Sequence, residues 1–279
     1  MTHPLAQRHG AAAWTRPASL LLSLLALLAL AGCASLPGAG ASSGSRDIMT
    51  ASDEPEARRR ARIRMELAVG YFEQGQTNVA LDELKQVIAS DPTFPEAHNL
   101  RGLIYMRLGD MRQAEESFRR AVALDPRDAN TQHNLGWLQC QQARYDESLK
   151  TFGLVLAQPM YTGRAKTLMA QGLCQARAGR TAEAEKSLAH AYELDAGNPI
   201  TGYNLANLLY QRGDLSRSQF YIRRLNNSDL ANAETLWLGV KVERRLNDRV
   251  AMVQLGEQLK KRFPQSAQSA AYDRGSFDD

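Results

Sequence analysis

The chain has 279 residues, 44% apolar and 7% aromatic, with 34 Lys and Arg against 30 Asp and Glu. That composition fits a water-soluble body of one or two domains; 20 Gly, 3 Cys and a single long apolar run exclude a collagen, a disulfide scaffold and a multi-span membrane protein. A net charge of +4 raises nucleic-acid binding. No acid precedes Asp47, however, and Arg8 and Arg16 lie in a segment that reads as removable, so part of the excess is an export signal.

Residues 1–32 read as a lipoprotein signal peptide. A basic stretch with His3, Arg8, His9 and Arg16 leads into the apolar run Leu20 to Ala31. Twelve residues at helical rise span roughly 18 Å, short of a hydrocarbon core of about 30 Å, so this is a signal h-region rather than a membrane span. Leu30-Ala31-Gly32-Cys33 resembles the bacterial lipobox, which implies a lipid on Cys33 as the first mature residue. Ala34, not Asp, follows that cysteine, which in Gram-negative sorting favours the periplasmic face of the outer membrane. Residues 33–56 then form the lipidated Cys and a Gly/Ser-rich tether with a reach of roughly 25 Å.

Cysteine arithmetic follows from this. With Cys33 acylated, Cys140 and Cys174 remain, 34 residues apart in an oxidising compartment. A bridge needs Cα atoms within roughly 7 Å, whereas neighbouring helices lie about 8–10 Å apart. Spacing alone therefore favours two buried free thiols over a disulfide.

Residues 57–264 are helical by period, and they repeat. LAVGYFEQGQTNVALDELKQVIASDP (67–92), RGLIYMRLGDMRQAEESFRRAVALDP (101–126) and LGWLQCQQARYDESLKTFGLVLAQP (135–159) align, with Pro92 and Pro126 34 residues apart. Gly102, Tyr105, Ala114, Phe118, Ala121 and Pro126 resemble the tetratricopeptide repeat signature. Gly102, Gly136 and Gly172 let the first helix of a repeat approach the second, where Ala114, Ala121, Ala184 and Ala191 are equally small. Gly109, Gly179 and Gly213 stand where a left-handed residue must end the first helix, and Asp-Pro at 91–92 and 125–126 ends the second. The predicted fold is all-α: a right-handed solenoid of about six helix-turn-helix repeats near 61–94, 95–128, 129–162, 165–198, 199–232 and 233–264, followed by a tail over 265–279. The fourth repeat starts two residues late, after an insertion around Pro159-Met160, and the fifth carries Ser218 in place of the small Ala.

Enzyme constellations are missing from the sequence: no Walker-type loop, no H-E-x-x-H and no C-x-x-C, and the G-x-S-x-G string at Gly40–Gly44 falls in the Gly/Ser-rich tether rather than between a strand and a helix. His98 and His133 occupy nearly equivalent helix positions of adjacent repeats, but with no Cys or carboxylate at ligand spacing they read as packing or groove histidines. No cofactor, metal, small-molecule substrate or nucleic-acid partner is expected. Arg58, Arg59, Arg60, Arg62 and Arg64 concentrate charge beside the anchor. They read as the solvated face of the first helix, with Ala57, Ala61, Leu67 and Ala68 turned inward, in preference to a contact with anionic lipid.

A repeat stack of this kind works by presenting a concave groove to a protein. The family register places Met65, Val69, Phe72, Asn99, Leu103, Met106, Arg107, Asn130, His133, Trp137 and Cys140 there, then Met169, Leu173, Arg177, Tyr203, Asn207 and Tyr210. Aromatic and Met anchors beside Asn and Arg suit protein recognition. The lipobox, the tether, the repeats, TLWLGVKVERRLNDRVAM and the tail ending YDRGSFDD together resemble the type IV pilus biogenesis/stability lipoproteins, the PilW/PilF family. The resemblance implies a non-enzymatic pilotin: a lipoprotein that binds the pilus secretin at the outer membrane and promotes its multimerisation, supporting pilus biogenesis and twitching motility. The alternative is another periplasmic repeat adaptor, docking a protease or a cell-wall enzyme.

Overall fold

The structure is a computed structural model that describes residues 55–277. The signal peptide, Cys33 and nearly all of the tether lie outside the described residues. Among the described residues there are thirteen helices and no strand: α1 Glu56–Glu73, α2 Thr77–Ser90, α3 Pro95–Leu108, α4 Met111–Leu124, α5 Ala129–Gln141, α6 Tyr145–Leu156, α7 Arg164–Arg177, α8 Thr181–Leu194, α9 Pro199–Arg212, α10 Leu215–Asn226, α11 Ala233–Arg245, α12 Arg249–Arg262 and α13 Ala267–Arg274. Odd-numbered helices up to α11 are the first (A) helices of six repeats, and the even-numbered ones are the second (B) helices. Each pair is an antiparallel hairpin, each B helix packs on the next A helix, and α13 closes the stack against α11 and α12.

The hairpins turn at one backbone device. Gly75, Gly109, Gly179 and Gly213 have φ between 75° and 82°, and Ala143 and Asn247 take the same turn at φ 59°. Four of the five steps between these turns are 34 residues; the step from 143 to 179 is two residues longer, and the surplus lies in the loop between α6 and α7. That is the insertion expected around Pro159-Met160. The B helices α2 and α4 stop at Asp91 and Asp125, whose extended backbones (φ −144° and −131°) precede Pro92 and Pro126. The next A helices then begin on their own caps. Asp128 accepts from the backbone N–H groups of Asn130 and Thr131, Asn198 from those of Ile200 and Thr201, and Asn232 forms a capping box with Thr235. The departure from consensus at Ala196-Gly197-Asn198 is thus a helix start.

Small residues set the A–B distance. A Cβ on Gly102 would stand 2.6 Å from the Phe118 ring, one on Gly136 2.9 Å from Phe152, and one on Gly172 2.7 Å from Leu188. Ala114, Ala121, Ala184 and Ala191 are buried opposite them. Where serine replaces alanine, its hydroxyl is satisfied across the hairpin: Ser148 donates to the Gly136 carbonyl at 2.7 Å and Ser218 to the Ala206 carbonyl at 2.8 Å.

Two expectations are corrected here. Cys140 and Cys174 are joined by a disulfide between α5 and α7, with Cα atoms 5.8 Å apart. The interaxial distance misleads, because Cα atoms sit about 2.3 Å off each axis, so facing positions on helices 10 Å apart approach to roughly 5–6 Å. On α1, Ala61 and Ala68 are buried, but Leu67 is 48% exposed and Ala57 is also exposed. Among the described residues no repeat precedes the first helix, and its contacts are with α2 and α3. Its arginines are tied to acids rather than merely solvated. Arg58 pairs with Asp91, Arg64 with Glu83 at 2.8 Å and Arg62 with Glu66 at 3.8 Å.

Candidate protein-binding groove

The A helices carry the residues that the register assigns to the groove. Met65, Val69 and Phe72 on α1, Asn99, Leu103 and Met106 on α3, Trp137 on α5, Met169 and Leu173 on α7, and Tyr203, Asn207 and Tyr210 on α9 are all half-buried, while Arg107, Asn130 and Arg177 are exposed. Partial exposure of a ring or thioether fixed by its neighbours leaves one apolar face for a partner.

What holds these side chains in place runs across repeats. The Arg107 guanidinium lies 3.9 Å over the Phe72 ring and donates to the Phe72 carbonyl at 3.0 Å. Arg245 repeats the arrangement on Tyr210, with the ring at 5.0 Å and the carbonyl at 3.2 Å. Each arginine thereby adds a second donor to a carbonyl at the end of the preceding A helix that already accepts from the turn glycine, Gly75 or Gly213, at 3.0 Å, where the helix dipole favours a cation. Arg177 stacks 5.0 Å over Trp137. Between repeats two and three, Asn134 donates its side-chain amide to Asn99 at 3.0 Å. Farther along, Leu173, Arg177, Asn204, Asn207 and Leu208 line a cavity of about 210 Å³ between α7 and α9, bringing Leu173, Arg177 and Asn207 of the predicted set together.

Two members of the set depart from it. His133 is buried at 5% exposure, with Nδ1 2.8 Å from the Thr167 hydroxyl, which in turn meets the Tyr161 hydroxyl at 2.8 Å. Burial, with a smaller push from Lys166, drives its pKa down to about 4, so the ring is neutral at ordinary pH. Cys140 is 2% exposed and bridged. His98 is a packing residue as well, its Nε2 3.1 Å from the Pro92 carbonyl. Among the described residues no cluster of three or more His, Cys, Asp or Glu is placed to hold a metal ion.

Sequence reasoning stopped the groove at Tyr210. The surface continues onto α11, where Lys241 lies 5.6 Å from the Tyr210 ring and 5.9 Å from that of Trp237. The signal was present in the identical 35-residue offsets from Phe72 to Arg107 and from Tyr210 to Arg245.

Comparison with known proteins accords with this architecture. Two tetratricopeptide repeat family models match residues 65–129 and 105–172. The type IV pilus assembly protein PilF of Pseudomonas aeruginosa is 25% identical over 202 residues, which is 72% of this chain and 80% of PilF. The solved structure of P. aeruginosa PilF superposes with a TM-score of 0.71 at 23% identity, covering 79% of this chain and 100% of the other. That of PilW, described as a widely conserved type IV pilus biogenesis factor, superposes with a TM-score of 0.71 at 27% identity, covering 76% of this chain and 97% of the other.

Proposed function

Because this chain is a tetratricopeptide-repeat protein homologous to PilF, and its homology supports a role in type IV pilus biogenesis, we propose that it acts as a pilotin: an outer-membrane lipoprotein, acylated at Cys33, that binds the pilus secretin and promotes its multimerisation. The observation that carries the proposal is the extent of the likeness. It spans 72% of the chain in sequence and 76% or more in structure, well beyond the 65–172 stretch that generic repeat models match.

The mechanism needs no catalytic group. The repeat stack is a protein-interaction fold, and its A-helix rings and thioethers, set by arginines from the following repeat, supply apolar anchors at small entropic cost. Asn99, Asn130 and Asn207 add amides able to bond an extended backbone. A tether of about 22 residues would hold this surface within roughly 25 Å of the bilayer in which the secretin assembles.

The test is complementation of a gene deletion, with secretin multimers read on unboiled gels. Wild type should restore the multimers; Cys33→Ala should displace the protein from the outer membrane and weaken the signal. Phe72→Ala combined with Trp137→Ala should lower it with the protein still at the membrane. Undiminished multimers in the deletion strain would refute the proposal, and recovery of a cell-wall enzyme or protease instead of secretin from solubilised envelopes would replace it with the adaptor reading.

A further inference from the structure

The loop between α8 and α9 lacks side-chain volume that its counterparts keep. Asp91-Pro92-Thr93 and Asp125-Pro126-Arg127 follow α2 and α4; the same place after α8 holds Asp195-Ala196-Gly197. The backbone there is alike, with Asp195 at φ −147° and ψ 80° against −144° and 93° for Asp91. Gly197 does not take a positive φ, and a Cβ on it would meet only Asp195 Oδ1, at 3.6 Å. Its missing side chain therefore leaves space rather than serving backbone conformation.

On the next B helix the change runs the other way. Tyr221 stands where the earlier B helices carry Glu83, Ser117, Thr151 and Ser187. Its ring meets that of Tyr192 edge-on at 4.9 Å and 81°, and both pack on the buried cluster of Leu188, Leu205 and Leu209. Between loop and rings lies a cavity of about 220 Å³, walled by Tyr192, Pro199, Tyr221, Leu225 and Leu230, with Gly197 and Leu230 exposed to solvent. An apolar cavity of roughly 150 Å³ accepts a benzene molecule, so this one has room for a single aromatic or branched aliphatic side chain.

One charge lines the cavity. Arg224 is exposed, its guanidinium 5.8 Å over the Tyr192 ring, and it has no carboxylate partner among the described residues. The other polar groups are largely committed. Asn198 Oδ1 accepts from the Ile200 and Thr201 backbone N–H groups, and the Ser228 hydroxyl donates to the Leu225 carbonyl and accepts from the Leu230 N–H.

We propose that this socket receives the C-terminal residue of a partner protein, its bulky apolar side chain among the tyrosines and its terminal carboxylate on Arg224. Charge complementarity and reach select that occupant. Successive side chains of an extended chain point to opposite faces, so an acid next to an internal apolar residue faces away from Arg224, and the next residue on the same face lies about 6–7 Å further on. A terminal carboxylate shares its Cα with the seated side chain. The α8–α9 and α10–α11 loops also flank the cavity, so a chain end enters where a continuing strand would have to clear both. This chain's own Phe277 does not compete, being stacked 5.4 Å from the Trp237 ring. The socket is built from B helices and the loops that leave them, so it goes beyond the pilotin reading of the A-helix groove and does not rest on it.

Fluorescence anisotropy on the full-length chain in phosphatidylcholine nanodiscs tests it, using N-terminally labelled Gly-Ser-Gly-Ser-Phe with a free carboxylate. This peptide should bind about tenfold tighter than the same peptide ending in a carboxamide, and about tenfold tighter than one ending in alanine. Arg224→Gln should erase the preference for acid over amide with an unchanged thermal melt. Ala196→Pro with Gly197→Thr restores the residues found at 92 and 93 and should abolish binding; if the pair lowers the melt, Gly197→Thr alone takes its place with a loss of several-fold. Equal binding of acid and amide, or binding indifferent to Arg224 and to the loop substitutions, overturns the proposal. So does Gly-Ser-Phe-Asp-Gly-amide binding as tightly as the free acid, which would make the occupant an internal segment, or laurate displacing the peptide more effectively than unlabelled peptide does, which would make it an acyl chain.

Discussion

Arg223 on α10 grips Glu243 on α11 through both guanidinium edges, Nε to Oε1 at 2.7 Å and Nη2 to Oε2 at 3.0 Å. The carboxylate is wholly buried between repeats five and six, where Gln219 donates a third hydrogen bond at 2.8 Å. Removing the cation would leave a desolvated charge with one amide for company. Arg223→Met should destabilise the chain by about 2–3 kcal/mol, less than the roughly 3–5 kcal/mol of a fully buried pair because Arg223 is itself 47% exposed. Glu243→Gln together with Arg223→Met should recover part of that loss. Urea unfolding of the two variants decides it; equal midpoints would mean the pair contributes nothing.

The glycines of the A helices separate into two kinds. Gly102→Ala drives a methyl into the Phe118 ring and should cost about 1–3 kcal/mol, whereas Gly70, with nothing within 4 Å of a built Cβ, should gain up to about 1 kcal/mol as alanine. Thermal melts of the single substitutions should therefore shift in opposite directions.

Ala143 makes the α5–α6 turn at φ 59°, a conformation four of the other turns give to glycine. Ala143→Gly should stabilise by about 0.5–1 kcal/mol, relief of left-handed strain outweighing the added chain entropy. Asn247→Gly should do less, since Asn tolerates this region. A lowered melting temperature for Ala143→Gly would contradict the account.

His133 titrates near 4 in the fold and near 6.5 when unfolded, so the unfolded chain binds more protons between those values. Its contribution is complete above about pH 6.5 and is lost as the pH falls towards 4, by up to about 3 kcal/mol. Burial also lowers the His98 pKa, which acts in the same direction. His133→Gln should flatten the fall in denaturation midpoint between pH 7 and 5; an unaltered slope would show that His133 is not its source.

Reducing the Cys140–Cys174 bridge opens a loop of 34 residues and should lower stability by about 2–4 kcal/mol. Cys140→Ser with Cys174→Ser should melt lower than wild type and become insensitive to dithiothreitol. A dithiothreitol-independent wild-type melt would rule the bridge out as a stabiliser.

The fold was legible because each repeat states its own rules. A left-handed turn favours glycine at 109, 179 and 213, close helices demand glycine at 102, 136 and 172, and proline ends two of the B helices. Legibility failed where the deciding partner lies in another repeat or is missing. Leu67 fits a helical stripe, yet among the described residues no earlier repeat covers it. The bridge depends on which faces of α5 and α7 meet, which spacing does not state. In the groove, residue types and helix positions could be read from the register, but the arginine that sets Phe72 comes from the next repeat. His133 was placed there by register alone, and the Thr167 hydroxyl that fixes it inside belongs to α7, beyond the insertion.

Repeat arrays deform as springs, each junction taking a small share of any bend or twist. The bridge between α5 and α7 clamps one coil of this spring, at the junction where the two-residue insertion lengthens the connection. Strain imposed by a partner pulling along the superhelix then falls on the junctions to either side, and the third and fourth repeats move as a single rigid block.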